Sequence, residues 1–375
     1  MDFTIHNQVL LAVFVVAAIM GAVVNKTNFC TMGAVSDWVN IGDTGRMRAW
    51  VFAMALALIG VLGLEATATV NLGTSTFPPY RTAQFAWLRY LAGGLLFGIG
   101  MTLGSGCGNK TLVRVGNGNL KSLVVLVVAA IAAYFMLWSA LFEKAFLPWI
   151  AATTVNLSSY GMPNQELSTV LASMFGMKSA AGFQLAFGAI VAAAMLVFVF
   201  KSEDFRGSRD NILGGGAVGL AVVAGWWITG GPWGRKWKDF ADMAIDIPSR
   251  VQVQSYTFVS PMGDSVRYLL DPEKLSLVNF GVVALSGVIL GSLVYALVTR
   301  RFRIEWFANG KDFGNHAAGG ALMGVGGVLS MGCTIGQGIT GVSTLAVGSI
   351  LTFLAIVIGA SGTMKYQYWR MTQEA

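Results

Sequence analysis

The chain has 375 residues, 55% of them hydrophobic and only 11% charged, with a formal net charge of +7. Soluble domains carry about a quarter charged residues, so a water-soluble domain is excluded. The positive balance reads as loop charge in a membrane protein rather than as a nucleic-acid footprint.

Nine apolar segments follow one another, at 8–24, 48–64, 87–106, 120–139, 182–200, 213–229, 277–298, 316–332 and 344–362. A helix needs about 20 mostly apolar residues to cross a bilayer. The fold class is therefore an all-α polytopic membrane protein. The first segment follows "MDFTIHNQ", which has no basic stretch, and it runs into "NKTNFC" without a small-residue cleavage site. It reads as a membrane helix rather than a removable signal. Fifteen Lys and Arg residues fall in one alternate set of connections and the C-terminal tail, against ten in the other set. Six of those ten sit in the long loop 231–276, where six acidic residues match them. Short basic loops stay cytoplasmic, so the N-terminus is expected outside and the C-terminus in the cytoplasm.

Two outer connections are long. In 141–181, "PNQELSTVLASMF" predicts a short helix near the membrane surface. In 231–276, the alternation of "RVQVQSYTFVS" predicts a short strand or hairpin. Either loop could be plain surface cover or a lid. The Trp226, Trp227, Trp233 and Trp237 cluster suits a membrane interface.

The segments "AGGLLFGIGMTLGSGC" (92–107) and "AGGALMGVGGVLSMGC" (318–333) match at nine of sixteen positions, at a constant offset of 226 residues. The first is the third membrane segment and the second is the eighth, so they cross in opposite directions. This predicts two inverted repeats, with a first half at 1–140, an external connection at 141–181 and a second half at 182–375. Transporters built this way hold their substrate where Gly-interrupted segments of the two halves meet. Both copies end in glycine-rich polar loops, expected to be re-entrant. Helix packing is the plainer reading of the helical glycines, since small residues let helices approach closely.

"LGSGCGNKT" (103–111) is one residue short of a phosphate-binding loop, with Asn109 in place of the second glycine. Such a loop follows a strand in a soluble α/β domain, and this one follows a membrane helix. An ATP-driven pump is thus disfavoured. What the two copies share is Gly-Cys: Gly106–Cys107 and Gly332–Cys333. A third loop holds Asn28, Phe29 and Cys30. Three cysteines far apart in sequence make a poor disulfide framework. Each is either a small buried hydrophobe or a lining group. Two histidines, His6 and His316, are too few for a histidine-based metal or catalytic centre.

The Phe29–Cys30 loop with Ala34 and Asp37, the Gly106–Cys107 loop running on to Arg114, Gly116 and Gly118, and "GCTIGQG" (332–338) together resemble the YeeE/YedE family of bacterial sulfur-compound transporters. The resemblance implies an inner-membrane protein that takes up thiosulfate. It implies a narrow central path lined by Cys30, Cys107 and Cys333, along which the substrate passes by transient hydrogen bonds. It also implies a cytoplasmic sulfur-carrier protein as partner, and no cofactor. One departure stands out. Asn109 and Lys110 follow Cys107, where small residues are usual, as at Thr334, Gly336, Gln337 and Gly338. This widens the substrate to a related oxyanion or a reduced sulfur or selenium species.

The residues themselves agree with an anion path. A dianion in a membrane needs donors in place of its water. Gly106, Gly108, Gly332 and their neighbours can turn backbone N–H groups toward it. Lys110 and Arg114 can attract it, although as inner-loop cations they also serve orientation. Two rivals remain. One is a soft-metal transporter using thiols and methionines, which the absence of a C-x-x-C pair and the presence of Lys110 and Arg114 oppose. The other is a membrane sulfurtransferase, which needs a base near each thiol. Cys333 has none nearby in sequence.

Overall fold

The computed structural model describes residues 4–73, 75–176, 181–244 and 247–374. Lys178 and Asp246, which enter the charge count, lie outside them. The helices are α1 (Ile5–Thr27), α2 (Thr31–Ile41), α3 (Gly45–Ala66), α4 (Trp87–Leu103), α5 (Gly108–Gly116), α6 (Leu120–Trp138), α7 (Leu147–Thr153), α8 (Leu167–Met174), α9 (Ala181–Phe200), α10 (Glu203–Gly207), α11 (Arg209–Gly230), α12 (Pro232–Met243), α13 (Val259–Leu270), α14 (Phe280–Val298), α15 (Gly310–Leu329) and α16 (Val347–Glu374). The named strands are one two-residue antiparallel pair, Gln84–Phe85 with Val155–Asn156.

Among the described residues, eight stretches are long and apolar enough to cross a membrane. The ninth expected segment is α15, whose many glycines, with Lys311 and Asp312 near its start, lower its hydropathy. Its 20 residues still span about 30 Å, and it lies between α4 and α6.

Glycines fix how the spans run. A Cβ on Gly93 would come 2.5 Å from Ser330 N, and one on Gly100 would come 2.8 Å from Gly319 O, so α4 and α15 are antiparallel. A Cβ on Gly320 would come 2.7 Å from Val125 O and one on Gly324 would come 2.5 Å from Ala129 O, so α6 and α15 are parallel. Gly287 faces Phe14 and Gly291 faces Ala18, making α1 and α14 parallel. By the same measure Gly215 faces Ala49 and Gly219 faces Ala53, making α3 and α11 parallel. Nine alternating spans have these relations. No side chain fits between such backbones, which is how small residues drive helix association where lipid removes the hydrophobic force.

The long loop 231–276 forms no hairpin. It folds as α12, a buried passage through Gln254–Phe258, and α13. Its one described ladder contact is the isolated bridge of Gln254 to Phe77. The alternation arises because Tyr256 and Phe258 fill the core while Ser255 points at another backbone and Thr257 faces Gly336. Tyr256 Oη donates to Val13 O at 3.0 Å, and Ser255 Oγ donates to Val222 O at 2.7 Å. The segment is thus neither a lid nor surface cover at its centre. The connection 141–181 does contain the expected short helix, α8, though Ser168, Thr169 and Ala172 are buried against the bundle.

Candidate functional site

Helices α4 and α15 end in the same turn. Ser105 (φ 57°) and Met331 (φ 60°) are left-handed, at matching positions of the repeat. Gly106 N donates to Met101 O at 2.9 Å, and Gly332 N donates to Gly327 O at 2.8 Å. This helix-terminating motif usually uses glycine at the left-handed residue; here serine and methionine hold it. Each turn sends the chain back into the bundle, to Cys107 and to Cys333. The two returning loops meet: a Cβ on Gly108 would stand 3.9 Å from Cys333 Cβ. The expected re-entrant loops are present.

Two of the three cysteines accept an N–H from the residue three positions on. Cys30 Sγ caps α2, accepting from Gly33 N at 3.5 Å. Cys107 is the residue before α5 and makes no side-chain capping hydrogen bond there. Cys333 Sγ accepts from Gly336 N at 3.4 Å, ahead of the wide helical turn Gly336–Gly341. The Cys30 and Cys107 side chains are neighbours. Thr334 neighbours Cys107 and Thr257 neighbours Cys333, neither hydroxyl having a hydrogen-bond partner. All three are free thiols and buried.

Cavities open on either side of this buried line. At the C-terminal end of α4, a cavity of about 560 Å³ is lined by Asn28, Cys30, Gly33, Arg46, Lys110 and Arg114. A second, of about 410 Å³, shares Asn28, Lys110 and Arg114 and adds Arg301 and Arg303. Lys110 Nζ donates to Asn28 Oδ1 at 2.8 Å, and Arg114 Nη1 donates to Ser105 O at 2.5 Å. Neither cation is neutralised by a carboxylate in the described ion pairs. At the opposite end of α4, a cavity of about 530 Å³ is lined by Arg89, Arg250, Ser260 and Met331, with Phe77 and Trp138. Arg89 Nε donates to Leu329 O at 2.5 Å, capping the last carbonyls of α15.

Not every expected lining residue faces this line. Phe29 stacks on Trp50 with ring centroids 4.7 Å apart. Gly338 packs under Phe353, where a Cβ would come within 2.6 Å of the ring. Gly332 lies against Gln337, and Gln337 Nε2 donates to Ser330 O. Gly336 makes room for Thr257, and Gly106 adjoins the Lys110 and Arg114 side chains. Asn109 is buried beside Cys107.

Five buried polar atoms around the cysteines lack a hydrogen-bond partner: Thr31 Oγ1, Asn109 Oδ1, Thr257 Oγ1, Thr334 Oγ1 and Gln337 Oε1. Each such group costs about 1–3 kcal/mol. Buried polar groups are nearly always satisfied, so these atoms are open to partners that the described residues do not supply. Among the described residues, no three His, Cys, Asp or Glu side chains converge as a metal site would need.

Sequence reasoning missed Thr257, Thr31 and Tyr80, whose Oη donates to Gly336 O at 2.7 Å. It counted Arg89 only toward orientation. Arg89 alone carried a signal, as a cation within the first turn of an apolar helix.

Membrane-length helices enclosing a polar, thiol-bearing centre between cavities at opposite ends define a polytopic membrane transport protein. The chain belongs to the sulphur-transport family, whose model matches residues 26–361. It is similar to the thiosulfate transporter TsuA of Escherichia coli (strain K12), 22% identical over 347 residues, covering 88% of this chain and 87% of the relative. It is similar also to the thiosulfate transporter TsuA of Spirochaeta thermophila, 25% identical over 354 residues, covering 92% and 94%.

Proposed function

We propose that the protein carries thiosulfate, or a closely related sulfur-containing anion, inward across the bacterial inner membrane past Cys30, Cys107 and Cys333. The observation that carries this reading is the buried line of thiols, each at the start of a helical turn, between cavities that hold unneutralised cations. A helix N-terminus favours an anion. A thiol is a weak donor and acceptor, suited to a soft sulfur atom and to release as well as binding. The substrate passes without covalent attachment.

Lys110, Arg114, Arg301 and Arg303 gather at one end of α4, which supports a cytoplasmic assignment for that end. The N-terminus is then outside and the C-terminus inside. A small sulfur-carrier protein would receive the anion at this basic face. The chain acts as a transporter and not as an enzyme.

A host lacking its other sulfate and thiosulfate uptake systems, grown on thiosulfate as sole sulfur source, tests the assignment. The intact gene restores growth, and Cys107→Ala with Cys333→Ala abolishes it. Failure of the intact gene sinks the substrate assignment, and growth of the double variant sinks the role of the thiols. Release of sulfite from thiosulfate by the purified protein would replace transport with sulfur transfer.

A further inference from the structure

The two halves place corresponding short helices at the centre. In the first half, α2 comes immediately before the span α3, and Cys30 at its start brings a thiol to Cys107. In the second half, α13 comes before the span α14, and Thr257, two residues before its first turn, brings a hydroxyl to Cys333. A hydroxyl thus stands beside Cys333, as a thiol stands beside Cys107. Thr257 is 5% exposed, and its Oγ1 has no hydrogen-bond partner. A Cβ on Gly336 would collide with that oxygen, so Gly336 leaves it room. Thr31 and Thr334, next in sequence to Cys30 and Cys333, are buried with unpartnered hydroxyls as well.

From this geometry we propose that Thr257 is a substrate-contacting, specificity-determining residue whose hydroxyl donates to an oxyanion oxygen while the neighbouring thiol holds the terminal sulfur. The inference rests on the transport reading above and refines it. An anion with a soft sulfur at one end and oxygens at the other satisfies thiol and hydroxyl together. An anion with only one kind of atom leaves the other group unpaired, and a site with an unpaired polar group discriminates strongly.

The test uses full-length protein in liposomes, with labelled thiosulfate uptake measured for wild type, Thr257→Val and Thr257→Ser, and hydrosulfide as an oxygen-free competitor. Valine keeps the shape and removes the donor, whereas serine keeps the donor. One hydrogen bond to a charged group corresponds to about ten- to a hundredfold. Thr257→Val should therefore raise KM for thiosulfate, or lower uptake, by about that factor. Its inhibition by hydrosulfide should stay within about twofold of wild type. Thr257→Ser should keep most of the thiosulfate uptake. Wild-type rates in Thr257→Val, or an equal loss of hydrosulfide inhibition, overturns the proposal. Equal loss in Thr257→Ser and Thr257→Val, with both variants melting below wild type, assigns Thr257 to packing and also overturns it. No thiosulfate uptake by wild type fails the transport reading instead, a result separable from the others.

Discussion

Gly108 and Cys333 belong to opposite halves of the chain, yet a Cβ on the first would lie 3.9 Å from that of the second and 3.7 Å from Met262 Cε. These are ordinary contact distances, so the position tolerates a methyl group without distorting the fold. A larger side chain would fill the junction of the two returning loops. Gly108→Ala should therefore keep its melting temperature within a few degrees and retain uptake. Gly108→Leu should lose nearly all thiosulfate uptake, on the order of a hundredfold, with less effect on yield. Flux in liposomes beside thermal melting checks both; full flux through Gly108→Leu would move the passage elsewhere.

The spans are held by glycine contacts of different severity. At Gly291 a Cβ would overlap the Ala18 backbone, whereas at Gly63 nothing lies within 4 Å. Gly291→Leu should destabilise by about 3 kcal/mol or prevent folding, and Gly63→Ala should be neutral or slightly stabilising. Melting in detergent distinguishes them, and equal stability of the two variants would refute the close α1–α14 contact.

Lys110 is bound by an amide oxygen rather than a carboxylate, so its charge stays available to an incoming anion. Lys110→Gln should raise KM for thiosulfate by about three- to tenfold, and the difference from wild type should shrink as salt is raised, because screening removes the same attraction. Uptake at low and at high ionic strength measures it. An unchanged KM at low salt would reduce Lys110 to a structural role.

Arg81 joins three parts of the chain. Its Nη1 lies 2.6 Å from Glu65 Oε1, its Nε lies 3.5 Å from Glu166 Oε2, and the same Nε donates to Thr344 O at 3.0 Å. Arg81→Met leaves two carboxylates without their cation, one of them buried, and should cost about 3 kcal/mol. Glu65 is partly exposed, which keeps the loss from being larger. Thermal melting reads the loss. Arg81→Lys should recover part of it, since lysine restores charge but not the two-pronged geometry.

Much of the architecture was legible in local sequence. Apolar segments gave nine spans, including α15, whose hydropathy falls below that of the other eight. The matching "AGG…GC" segments also foretold that Cys107 and Cys333 occupy equivalent turns, because the same glycines recur wherever two backbones must touch. The packing of Phe29 on Trp50 and of Gly338 under Phe353 was not legible there: a motif shows which residues recur together, not which neighbours each of them meets.

The segment 250–260 shows the limit most clearly. Its alternation is real, but period two records only that successive side chains point oppositely. Which neighbours they meet was decided when α6, α11 and α14 closed around it. The sequence by itself determined the membrane class, the alternation of the spans and the three cysteine loops, since these follow from apolar length and local spacing. Only the tertiary structure decided that Cys30 meets Cys107, that Cys333 meets Thr257 and that cations from separate loops share one cavity. Those pairings join residues far apart in the chain, and no local propensity encodes them.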